Sequence, residues 1–160
     1  MSLVEWTREV GGKLMLSNTT VHIAIAYLDF VLSKNDYPRH QLSLIAATCL
    51  SLAAKYDELD KNIPPIEELL RACVSKLAGA RIEDVKECET QLLRALSWNL
   101  RIITPLVFLE ILLTQGVLHD TDKIEGTDPV SIYTARVISL QSLNFVDLSL
   151  TCTCHYSQKC

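Results

Sequence analysis

LSLIAATCLSLAAKY, residues 42–56, is apolar nearly all round, carries small residues on one side and closes on a lysine and a tyrosine. Leu42, Ile45, Cys49, Leu52 and Tyr56 recur at steps of three and four, the spacing of a single helix face. Ala46, Ala47, Ala53 and Ala54 leave flat surfaces elsewhere, against which neighbouring helices can pack closely. A helix that is hydrophobic around its circumference is a buried one. With helical patterns on both sides of it, this segment reads as the axis of an all-α domain.

The flanking segments supply the surrounding helices. Ser17-Asn18 is placed to cap a helix over about 19–33 with Val21, Ala24, Ile25 and Leu28 inward. After the polar turn 34–37, Pro38 sits at the favoured first position of the central helix. An acidic loop with a diproline, DELDKNIPP, leads into a short helix with Ile66, Leu69, Leu70 and Cys73 on one side and Gly79 as its stop. A further helix is expected over 82–98, with Ile82, Val85, Leu92, Leu93 and Leu96 apolar. Thr104-Pro105 and Asp128-Pro129 each cap and start one more, ending near Gly116 and Asp147. The last nine residues, CTCHYSQKC, lose the period. A boundary near Arg101–Thr104 leaves five helices before it and two after it.

Bulk properties narrow the function. The chain has 160 residues, 49% hydrophobic and 21% charged, which is a globular composition and enough for one good core. A net charge of −4 argues against binding a phosphate backbone, so no nucleic-acid partner is expected. The start, MSLVEWTREV, breaks any secretory apolar run, and the hydrophobic stretch at 102–113 is too short to span a bilayer and contains Glu110, so no membrane partner is expected either. Six cysteines are present, three of them (Cys49, Cys73, Cys88) inside helical patterns, which suits reduced thiols in a nuclear or cytoplasmic protein.

Two charges border apolar stripes. Glu89 lies four residues after Val85 and three before Leu92, and Lys55 follows Leu52 by three. Burial of either without a partner would be costly. Either the two snorkel to solvent or pair with each other, or they form a shared ionic clamp for a partner, ringed by hydrophobic contacts as interface hot spots are.

At these residues the chain resembles the cyclins. The stretch 5–33 is similar to the end of the first cyclin-box helix and all of the second, LSLIAATCLSLAAKYDE to the third, and VKECETQLLRALSWNL to the fifth. Order, intervals and residue types agree over about 3–113. The resemblance implies a cyclin box over 1–101, its first helix incomplete, then a partial second cyclin domain over 102–150 and an irregular tail over 151–160. It implies a regulatory subunit, itself no enzyme, that binds and activates a cyclin-dependent serine/threonine kinase and so controls cell-cycle progression, in nucleus and cytoplasm. Alternatives are a non-activating truncated isoform and a cyclin-fold transcription adaptor. The kinase-binding roles fall on Lys55 and Glu89, with Tyr56 and Leu92 as apolar support beside them and core packing as the other reading of both. Cyclins that recruit substrates or inhibitors use a patch on the first helix; Leu3, Trp6, Glu9 and Leu42 occupy the matching positions, with packing as the other reading of Leu3 and Trp6. The run DKNIPPIEELL and the run WNLRIITPLVFLEILL are most similar to cyclin J and its relatives, with A- and B-type cyclins next.

An unfinished second domain would expose apolar faces near Leu106–Leu113 and Ile132–Leu148. Cys152, Cys154, His155 and Cys160 are zinc-ligand types without the separated pairs a structural site needs, so no metal is expected. Asp57, Glu58, Asp60, Glu67 and Glu68 lack Mg²⁺ or EF-hand spacing and read as a solvated loop. Gly11-Gly12 has no phosphate-loop context, His22 has no nucleophile pattern beside it, and no cofactor is expected.

Overall fold

The structure, a computed structural model, describes residues 2–115 and 132–152, with side chains in the last segment described over 135–150. Among these residues every regular element is a helix: α1 (Leu3–Lys13), α2 (Asn18–Lys34), α3 (Arg39–Asp57), α4 (Ile66–Ala72), α5 (Ile82–Ala95), α6 (Pro105–Thr114) and α7 (Ile132–Cys152), with one 3₁₀ turn at Asp60–Asn62. The all-α class read from the periodicity is the class observed. Described residues up to Ile102 form one compact unit, and those from Ile103 form another.

In the first unit α3 is the axis. Ten consecutive residues, Ile45 through Ala54, are buried, and α1, α2, α4 and α5 all pack on this helix. A helix can hide every face only when others surround it, and the alanines keep those neighbours close. Val4, Trp6 and Val10 of α1, Ile25, Leu28 and Val31 of α2, and Val85 and Leu92 of α5 fill the core around it. Each such side chain contributes roughly 1.5–3 kcal/mol relative to exposure. Tyr27, fully buried, donates its hydroxyl to the Leu100 carbonyl at 2.6 Å and so ties α2 to the segment that follows α5.

The helix starts obey local chemistry. Ser2 and Glu5 form a reciprocal capping box on α1, Ser17 accepts the Thr20 N–H at the start of α2, and Thr104 accepts the Val107 N–H at the start of α6. Pro38 stands one position earlier than expected, as the N-cap of α3 and not its first residue. The helix ends differ more. α1 stops at Lys13 and α5 at Ala95, three residues before the expected Trp98, although neither has a glycine just past its end. Met15 at φ 52° and Ser97 at φ 53° take the left-handed conformation usually given to glycine. In each case the next N–H reaches back to the last turn, Leu16 to the Gly11 carbonyl and Trp98 to that of Leu93. α4 ends at Ala72, well before Gly79, and turns fill the interval.

In the second unit α6 packs against α7. Phe108, Ile111, Leu140, Phe145 and Leu148 stand exposed on these two helices. α7 continues to Cys152, two residues past the expected boundary with the tail. The expected start of this helix at Asp128-Pro129, and the side chains of Cys152, Cys154, His155 and Cys160, lie outside the described residues.

Candidate functional site

Lys55 lies in the last turn of α3, where the helix dipole favours a cation, and Glu89 lies mid-way along α5. The crossing of these helices brings the Lys55 ammonium to 2.7 Å from both carboxylate oxygens of Glu89. Of the readings the sequence left open, the two side chains do pair. Their side chains are 40% and 17% exposed, so the pair sits at the surface edge of the core and not inside it. Half-exposed pairs of this kind add about 0–1 kcal/mol to stability. The fold therefore makes little use of this charge pair.

A second polar network fixes the end of α3 that carries Lys55. Thr20, fully buried on α2, has its hydroxyl 2.8 Å from Asp57 Oδ2 and 2.9 Å from Glu58 Oε1. The Ser17 N–H donates to Glu58 Oε1 at 2.7 Å. Two carboxylates thus meet the positive end of α2. The backbone N–H of Ser17, helped by the Thr20 hydroxyl and Asn62, holds the Glu58 carboxyl below the usual carboxylate range. Asp57 and Glu58, expected to be solvated loop charges, are instead structural. The signal was present in the sequence, since Ser17 and Thr20 have N-cap spacing, but their partners lie forty residues away in the chain and only the tertiary fold names them.

The remaining expected contact residues separate into surface and core. Tyr56 is 47% exposed and borders Lys55 as expected. Leu92 is 2% exposed, so of its two readings the burial favours core packing over a binding surface, and the residue faces α3. Its neighbour Leu93 is half-buried and lies one turn beyond Glu89 on the same side of α5. Trp6 is likewise 2% exposed, with the Lys76 ammonium 5.1 Å over its ring, which favours packing among the two readings the sequence left open. Leu3 and Leu42 are half-buried, and Glu9 is exposed and paired with Lys13 at 2.7 Å.

The chemistry of the rest is quiet. Cys49, Cys73 and Cys88 are buried free thiols, and burial pushes the pKa of each up, that of Cys73 to about 11. Protonated thiols of this kind are inert. Among the described residues no group of three or more His, Cys, Asp or Glu could hold a metal ion, and no helix is long and apolar enough to cross a membrane.

The first unit is thus five helices around a buried axis, with a lysine at the end of the third helix bonded to a glutamate of the fifth. Residues 1–101 match the family described as "Cyclin, N-terminal domain", and the chain belongs to the cyclin family. It is similar to Cyclin-D of Ostreococcus tauri, 38% identical over 128 residues that cover 79% of this chain and 33% of that protein. It is also similar to Cyclin-J of Xenopus laevis, at 28% over 88% of this chain and 37% of that protein. Cyclin-B2-1 of Arabidopsis thaliana is 28% identical over 99% of this chain and 35% of that protein. The chain spans about a third of the length of these curated relatives. J- and B-type relatives accord with the expected subtypes, and a D-type relative of higher identity stands beside them.

Proposed function

We propose that this chain is a cyclin-type regulatory subunit that docks on a cyclin-dependent serine/threonine kinase, shifts it toward its active arrangement and thereby acts in cell-cycle progression. The observation that carries this reading is the surface ion pair of Lys55 and Glu89, held at the crossing of α3 and α5 in a cyclin-family domain. Lys55 has three N–H donors and gives two to Glu89, so one remains for a partner carbonyl or carboxylate. Tyr56 and Leu93 supply apolar surface next to the pair. Docking there would favour the kinase conformation in which its own ATP-site lysine and glutamate stay paired, a population shift that needs no chemistry from the cyclin. This chain itself is then not an enzyme, and its working compartments are nucleus and cytoplasm.

The test is affinity purification of the tagged chain from proliferating cells, with Lys55→Ala and Glu89→Ala in parallel. Wild-type chain is expected to bring down a kinase active on a histone-type substrate, and both variants to lose it while keeping their helical content. Equal kinase recovery with both variants would overturn the clamp assignment. A second reading, binding without activation, is favoured by the apolar residues exposed on α6 and α7, and predicts kinase recovery without activity.

A further inference from the structure

Thr20 stands in the first turn of α2 and is 0% exposed, so no partner can reach it. Its hydroxyl lies 2.8 Å from Asp57 Oδ2 and 2.9 Å from Glu58 Oε1, the two carboxylates that directly follow Lys55 and Tyr56 in the chain. A single hydroxyl proton serves one carboxylate at a time. The Ser17 hydroxyl, 2.9 Å from Thr20 Oγ1 and 3.4 Å from Asp57 Oδ2, and the Ser17 N–H on Glu58 supply the further donors. Asp57 lies two positions after Lys55, roughly 200° further round α3. The last turn of α3 is therefore held on opposite flanks, by the start of α2 through Asp57 and Glu58 and by α5 through Lys55 and Glu89. The two attachments differ in strength. Hydrogen bonds between a buried hydroxyl and a carboxylate are stronger than a half-exposed ion pair, and a helix end left unheld frays. The Lys55–Glu89 pair alone is too weak to fix the turn that carries it.

We propose that Thr20 is a positioning residue for kinase docking: through Asp57 and Glu58 it holds the last turn of α3 so that Lys55 and Tyr56 are presented in one fixed arrangement. Resting on the docking reading of Lys55 and Glu89, this role adds a residue that itself touches no partner. Lys55 carries its ammonium on a flexible four-carbon stem, and its third donor is aimed only as well as the backbone beneath it is held. Fixing that backbone before docking removes an ordering cost that binding would otherwise meet. Thr20 suits the task because the whole residue is buried while its hydroxyl reaches across to the end of α3. Valine in its place keeps the shape and loses the proton, whereas serine keeps the proton and loses the methyl group.

The experiment compares the full chain with its Thr20→Val, Thr20→Ser and Lys55→Ala variants. The probe is the kinase that the wild-type chain recovers from proliferating cells, with affinity read by biolayer interferometry. Backbone hydrogen exchange over residues 55–58 is followed in the free chains. Thr20→Val is expected to weaken kinase binding about tenfold and to speed exchange over 55–58, whereas Thr20→Ser stays within about twofold of the wild type in both. Val4→Ala, in the core on α1 and outside the network, controls for lost stability alone and should leave affinity and exchange at 55–58 unchanged. If Thr20→Val does not fold, Glu58→Ala and Glu58→Gln carry the same contrast, since glutamine keeps an oxygen for the Ser17 N–H and alanine does not. Wild-type affinity in Thr20→Val, an equal loss in Thr20→Ser, or an equal loss in Val4→Ala would each overturn the proposal. Wild-type affinity in Thr20→Val with binding lost in Lys55→Ala refutes the positioning role and leaves the docking pair standing. No kinase recovered by the wild-type chain, or equal recovery by Lys55→Ala, refutes the docking reading and the positioning role with it.

Discussion

Replacing each of two adjacent glycines by alanine should change stability in opposite directions. A Cβ built on Gly11 would lie 2.5 Å from Val21 Cγ2 and 3.8 Å from Leu50 Cδ1, whereas one on Gly12 meets nothing within 4 Å. Carbon atoms rest about 3.5–4.0 Å apart, so at position 11 the contact must open by about 1 Å or more. Val21 is β-branched, 7% exposed and on the helix facing α1, so it cannot simply swing aside. Overpacking of this kind costs about 1–3 kcal/mol, and alanine returns up to about 1 kcal/mol of helix propensity. Gly11→Ala should therefore destabilise by about 0.5–2 kcal/mol. Gly12→Ala gains the propensity without the clash and should stabilise by about 0.5–1 kcal/mol. Urea unfolding followed by far-ultraviolet circular dichroism measures both. In a Val21→Ala background, where Cγ2 is gone, Gly11→Ala should become neutral or stabilising. A Gly11→Ala variant as stable as Gly12→Ala, or an unchanged penalty in that background, would refute the close approach of α1 and α2 at this point.

Tyr27→Phe removes the hydroxyl bonded to the Leu100 carbonyl and should cost about 1–2 kcal/mol in urea unfolding, since the phenyl ring still fills the core. Leu92→Ala should cost about 2–5 kcal/mol, whereas Leu93→Ala should leave the unfolding midpoint nearly unmoved and lower kinase recovery in the affinity purification. Glu58 gives a pH dependence of known sign. Its folded pKa lies below the ordinary value, so the stability it adds is present above the unfolded pKa and is lost as pH falls through the folded one. Urea midpoints measured from about pH 6 to about pH 3 should fall less steeply for Glu58→Gln than for the wild type, with the variant less stable at the upper end.

Much of the fold was legible because helix period, caps and prolines are local. The expected starts near Ser17, Pro38 and Thr104 fall within a residue of those observed, since a cap answers to the N–H groups two or three residues ahead of it. The helix ends were less legible. At Met15 and Ser97 the left-handed residue is not glycine, so the composition gave no stop signal and the geometry is set by the backbone bonds that close the last turn. The candidate site was partly legible. Lys55 and Glu89 stood out as charges beside apolar stripes, but which of two adjacent leucines faces outward depends on about a hundred degrees of helix rotation.

The sequence by itself determined an all-α chain, a helix apolar on every side that had to be central, and two charges whose burial would be costly without partners. These follow from spacing along the chain and from the free energy of placing each side chain in or out of water. Only the tertiary structure decided that Lys55 reaches Glu89, that Asp57 and Glu58 serve the start of α2, and that Trp6 and Leu92 are core. Each of these depends on the crossing angle and rotation of helices distant in sequence, set by the packing of the whole core and not by any local pattern.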